Sequence, residues 1–191
     1  MTRLHPLDDN TLDADQREAV EEVISGPRGK VPAPMQAWLR NPELARRAQR
    51  LGALLRFDTG LGQELTELAI LVCAAHWRSH YEWTAHRKLA LQAGLDEAVI
   101  EALLEGRRPD FHTDRHEIVH RTASELMTTS RLSDATYADA RTVLGETLLV
   151  ELVAVLGYYS CVALTLNAFE IGMPDARVAA FDKAEAGGGD V

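Results

Sequence analysis

The chain is poor in cysteine. It has two in 191 residues, Cys73 and Cys161, and no C-x-x-C. That excludes a disulfide framework and suits a reducing compartment, so a cytoplasmic location is expected. Basic residues are outnumbered: Lys and Arg total 20 against 29 Asp and Glu, a formal charge of −9. No basic stripe gathers along the chain, which argues against a nucleic-acid partner. The first sixteen residues, MTRLHPLDDNTLDADQ, contain no apolar core of the secretory kind, so no signal peptide is expected there. Alternating strand-like patterns are missing, and β-branched residues do not cluster between turn signals.

One long apolar run is present, residues 148–166, LLVELVAVLGYYSCVALTL. It approaches the ~20 residues of a membrane span. Yet Glu151, Gly157, Tyr158, Tyr159, Ser160 and Thr165 interrupt it, and no basic cluster flanks it. It reads as a buried central helix and not as a membrane anchor. Hydrophobic content of 46% and 26% charged residues describe an ordinary globular chain, long enough for one well-filled core.

Local signals divide the chain into helices. Asp13 and Gln16 form a capping-box pair ahead of a helix to Ser25. GPRGKVPAP (26–34) is a rigid irregular loop, followed by a short helix at 35–40. In NPEL, Asn41 is a cap and Pro42 a first-turn residue of a helix to about Phe57. Further helices are expected at 63–77, at 79–93 with Gly94 as its stop, at 96–105 and at 114–130. Ser133 caps a helix to about Leu144, and Gly145 precedes the apolar helix to about Ile171. The expected fold is all-α, eight or nine helices in one domain over residues 1–174, with a loose tail at 175–191. TELAILV (66–72) and VELVAVL (150–156) echo one another weakly, as helix cores often do.

Two stretches carry candidate chemistry. HEIVH (116–120) is a literal H-E-x-x-H, which on a helix can place two imidazoles on zinc. A catalytic zinc needs a third protein ligand and an open position. The extended spacing would require a glycine at position 123 and a histidine at position 126, but the chain has Ala123 and Leu126 there. His116 and His120 therefore read as the polar shoulder of a helix start, and no metal is expected.

The denser group is ELAILVCAAHWRSHYEWTAH (67–86). Glu67 lies within an apolar helix, where a carboxylate needs a partner or a raised pKa. Ser79, Glu82 and His86 are spaced by 3 and 4 residues and share one face of the next helix. An antiparallel pairing of the two helices would bring Glu67 to that face, giving a proton-handling group. Glu82 and His86 would equally well make an ordinary surface pair. Trp83 and Tyr158 would equally well be core anchors.

The stretch 67–103, together with GPRGKVPAPMQAWLRNPELARRAQRLGALLRFDTGL and VELVAVLGYYSCVALTLNAFEIGMP, resembles carboxymuconolactone decarboxylase-like proteins of the alkylhydroperoxidase D fold. In that family's peroxidase branch a glutamate helix is followed by C-x-x-C and then histidine. The resemblance puts Glu67, Ser79, Glu82 and His86 at those positions. Both redox cysteines are thus replaced, which removes the dithiol route. What the resemblance implies is cofactor-free acid–base chemistry, a decarboxylation or related lyase reaction on a small organic acid or lactone. Glu67, Glu82 and His86 would be catalytic. Ser79, His80, Tyr81, Trp83, Tyr158 and Asn167 would bind substrate, with Arg78, His80 and Arg87 as candidates for holding a carboxylate. Alternatives are alkylhydroperoxidase-like activity through Cys73 and a non-catalytic oligomeric binding protein. A homo-oligomer (dimer, trimer or hexamer) is expected, with no membrane partner.

Overall fold

The computed structural model describes residues 2–172, 180 and 181. Its helices are α1 (Ala14–Ser25), α2 (Met35–Trp38), α3 (Pro42–Phe57), α4 (Gln63–His76), α5 (His80–Ala93), α6 (Glu97–Leu104), α7 (Asp114–Thr129) and α8 (Asp134–Ala168). No strand occurs among the described residues.

Caps set most of the helix starts. The Asp13 carboxylate accepts from the Gln16 N–H, and the Gln16 side chain accepts from the Asp13 N–H, closing the capping box of α1. Asn41 accepts from the Leu44 N–H, with Pro42 in the first turn of α3. Gly94 ends α5 at φ 100°, a left-handed residue that glycine adopts without strain. Gly145, at φ 79° and ψ 167°, is non-helical and divides α8 in two. The second segment stops at Ala168, short of the expected Ile171, because Glu170 and Gly172 take positive φ.

α4 is the hub. Its residues Leu65 to Ala74 are all buried, and it packs against α5, α7 and α8. An element apolar all round must be enclosed by others. α8 encloses one side through Leu149, Leu152, Val155, Leu156, Val162 and Leu166. By length and composition α8 could cross a bilayer. In this fold it packs on α3, α4 and α7 instead. The α4–α5 pair is joined by Trp77, Arg78 and Ser79, and this tight connection turns Glu67 toward α5.

Of the expected tail at 175–191, only Ala180 and Phe181 lie among the described residues; the rest falls outside them. Phe181 is buried. Its ring packs on His80 and Trp83, and its N–H donates to His80 Nδ1 at 3.1 Å.

Candidate active site

Glu67 and Glu82 are fully buried, at 0% and 1% exposure. They are handled in opposite ways. Glu67 has partners: Gln63 Nε2, one turn back, donates to Oε1 at 2.7 Å, and His86 Nδ1 donates to Oε2 at 2.6 Å. Arg56 Nε stands 3.9 Å from Oε1. With Nδ1–H committed to Glu67, the free lone pair of His86 is on Nε2. The Tyr159 ring meets the imidazole edge-on at 5.1 Å and fixes its plane.

Glu82 has no comparable support. Among the described residues neither carboxyl oxygen meets a well-formed hydrogen bond; the buried Ser79 hydroxyl stands close enough to favour the charged form in part. Burial pushes the Glu82 carboxyl well above the ordinary carboxylate range, and Ser79 offsets this only in part. An unpaired ionised carboxylate in such surroundings is costly, so the neutral acid is the stable form.

Glu82 and His86 line a pocket of about 340 Å3 between the loop 26–34, α3, α5 and α8. Tyr158 and Tyr159 form its α8 wall, and Leu89, Val162 and Leu166 its apolar side. Burial holds both phenols protonated, with Tyr158 pushed up to about 12. An apolar, partly enclosed cleft with a few convergent polar groups is the usual form of a small-ligand site. A larger cleft of about 590 Å3, walled by the N-terminal segment and α1, gathers no buried acid–base group.

The structure thus brings Glu67, Ser79, Glu82 and His86 together, with Tyr158 in the wall and the half-exposed Tyr81 at the rim. It does not bring in the others. His80 and Trp83 face Phe181 on another side of α5. Asn167 donates to the Trp77 carbonyl at 2.7 Å, away from the pocket. Arg87 pairs with Glu97 on the surface, and Arg78 lies over the Phe181 ring. The reason is angular: residues 79, 82 and 86 follow one helix face, whereas 80 and 83 follow the next. Sequence reasoning missed Arg28, Gln49, Arg56 and Tyr159, all lining the pocket. A weak signal existed for Arg56: no acid stands three or four residues away on its helix.

Gly52 of α3 permits this pocket. A Cβ there would stand 2.1 Å from the Tyr158 hydroxyl and 2.7 Å from Arg28 Nη2. Gly52→Ala improves helix propensity by about 1 kcal/mol, yet it must displace that wall. It is expected to lower catalytic efficiency at least ~10-fold with helical content intact by circular dichroism, since small misplacements of binding groups are expensive.

HEIVH lies on α7, outside this pocket. His116 Nε2 is 3.0 Å from Glu64 Oε1, and His120 Nε2 is 3.3 Å from the Ser124 hydroxyl. Both rings pack against Phe111, so they are half-buried and not solvated as a polar shoulder would be. No group of three or more potential ligands that could hold a metal occurs among the described residues.

The fold is helical, and its partly enclosed pocket is lined by a carboxyl and an imidazole, Glu82 and His86. Residues 42–116 match the carboxymuconolactone decarboxylase family, a segment that includes Glu67, Ser79, Glu82 and His86. Two solved structures share the fold. One is an uncharacterized peroxidase-related protein of Ralstonia eutropha JMP134, described as an alkylhydroperoxidase AhpD core (TM-score 0.73, 17% identity, 93% of this chain and 94% of that one). The other is an uncharacterized peroxidase-related protein of Silicibacter sp. TM1040 (TM-score 0.74, 17% identity, the same coverages). No curated protein matches the chain. The chain thus has the AhpD-like fold, and its segment 42–116 is similar to the carboxymuconolactone decarboxylase family.

Proposed function

We propose that this protein is a cofactor-free acid–base enzyme that decarboxylates, or performs a related lyase reaction on, a small organic acid or lactone. The observation that carries this reading is the pairing of a buried, unpartnered Glu82 with a Glu67-held His86 in one pocket. In a decarboxylation, the bond to the carboxylate carbon breaks and its electron pair stays on the substrate carbon. CO2 leaves, and one proton must reach that carbon. Neutral Glu82 supplies it. His86 Nε2 then passes a proton from solvent back to Glu82, and Glu67 stabilises the transient imidazolium. Positioned acids and bases of this kind contribute ~10^2–10^4-fold each. The direct test is release of CO2 from a panel of carboxylated lactones and 2- or 3-oxo acids, compared with His86→Gln. Turnover of every panel member undiminished by that substitution would remove the reading.

The names of the two structural relatives support a second reading, peroxide reduction. It would need a reactive thiol. Cys73 is buried, its thiol pushed up to about 12 by burial, and its sulfur faces the Ser160 hydroxyl at 3.4 Å on α8. A thiolate is the nucleophilic form, so Cys73 is poorly suited. We expect no dithiothreitol-dependent peroxide consumption above buffer, and none lost in Cys73→Ser. Peroxide turnover that disappears in Cys73→Ser would favour the peroxidase reading instead.

A further inference from the structure

We infer that the end of the pocket beneath Arg28, Arg56 and Tyr159 is an anion subsite that holds a carboxylate of the substrate. The inference deepens the proposed function and rests on it for the identity of the pocket as a substrate site. Arg28 comes from the loop 26–34 and Arg56 from the last turn of α3. Their guanidinium carbons lie 6.0 and 5.0 Å from the centroid of the Phe57 ring, and both side chains line the pocket. Arg28 makes no ion pair among the described residues. Among the described residues Arg56 has only Glu67 as an ionic partner, at 3.9 Å and without a hydrogen bond. Glu67 already serves Gln63 and His86. The Nε atoms of both arginines are buried with no acceptor among the described residues.

Tyr159 gives an independent indication. Its residue is 2% exposed, it lines the pocket, and its hydroxyl has no partner among the described residues. Both arginines act electrostatically on the Tyr158 and Tyr159 hydroxyls, so the four groups share one region. Unpaired donors are costly when buried, and here three of them stand at the pocket without an acceptor. A carboxylate supplies two oxygens that match the guanidinium fork and can accept from a phenol.

Charge around the pocket agrees. Arg28, Lys30, Arg56 and Lys88 line it, and Glu82, whose pKa burial raises, is the only carboxyl lining it among the described residues. On a chain of net charge −9 this is a local reversal that draws anions in. The substrate class that fits carries one carboxylate under the arginines and its reacting carbon at Glu82 and His86. Leu89, Val162 and Leu166 would hold an apolar body between them.

Isothermal titration calorimetry with benzoate, and with uncharged benzamide as control, tests this without any turnover. Wild type is expected to bind benzoate at least ~10-fold more tightly than benzamide. Arg28→Met and Arg56→Met should each weaken benzoate at least ~10-fold, and Tyr159→Phe about 3-fold, with benzamide unchanged. Arg56→Lys, which keeps a charge and much of the packing, should fall between. Benzoate binding that is undiminished in both methionine variants, or no preference for benzoate over benzamide in wild type, would overturn the subsite. His86→Gln separates this from the chemistry. Retained benzoate binding with no panel substrate turned over by wild type would sink the lyase reading and leave the subsite standing.

Discussion

Glu82→Gln is expected to abolish turnover and, at the same time, to make the protein more stable at pH 7. The two effects have one cause. Glu82 is buried without a well-formed hydrogen bond among the described residues, and burial raises its pKa well above the ordinary value despite the nearby Ser79 hydroxyl. The folded state therefore binds this proton more tightly than the unfolded chain does. Below about pH 4.3 both states are protonated and no penalty exists. As pH rises above that value the unfolded chain ionises while the folded protein does not. Stability then falls by up to about 1.4 kcal/mol per pH unit, until the raised folded pKa is passed. Glutamine has the same shape and no proton to lose. The variant should show a flatter stability profile from about pH 4.5 upward. Its melting temperature at pH 7 should be higher by roughly 2–4 °C for each kcal/mol recovered. Turnover should fall by ~10^2-fold or more, because the proton donor is gone. Sites that store such a cost for the sake of chemistry commonly show this exchange of activity for stability. A Glu82→Gln protein with wild-type turnover, or one whose stability follows pH as wild type does, would show that Glu82 is not the acid.

The second large effect concerns Glu67 and His86 as a unit. Glu67→Gln and His86→Gln are each expected to lower kcat by ~10^2–10^4. The double variant should be little worse than either single one, because groups that act together are strongly non-additive. Glu67 organises three neighbours: Gln63, His86 and, at longer range, Arg56. Truncation by Glu67→Ala would strand buried donors at about 1–3 kcal/mol each. Glutamine keeps an acceptor and removes the charge, so it separates electrostatic support of the imidazolium from simple packing. Additive losses in the double variant would mean that the two residues serve different steps.

Most of the helices were legible because their signals are local. Asp13 with Gln16, Asn41 with Pro42, Gly94 and Gly145 each act within one turn of their own position. The coming together of Glu67, Glu82 and His86 was legible for a similar reason. A glutamate in an apolar helix needs a partner, and a 3-then-4 spacing on the next helix offers one. Tyr158 was legible as a pocket wall, but its neighbour Tyr159, which holds the His86 ring, was passed over. The arginines were harder still. Arg28 lies in a loop read only for its backbone stiffness, and Arg56 at the end of α3. Their convergence on Phe57 and the pocket follows from how that loop and α3 pack beside α8, which no spacing encodes. His80 and Trp83 misled for the opposite reason. They are close in sequence to Glu82 but turned about α5 toward Phe181, a residue far along the chain. HEIVH was set aside in the sequence because it carries two ligands and no third; what its spacing did not reveal is that Phe111 packs on both rings.

The central claim is that a neutral carboxylic acid stands in this pocket at physiological pH. Carboxyl 13C NMR of glutamate-labelled protein, with Glu82→Gln to assign the resonance, reads it directly. The account predicts a Glu82 signal that titrates well above the ordinary carboxylate range. A Glu82 resonance that titrates in the ordinary carboxylate range, fully ionised by about pH 6, would contradict it.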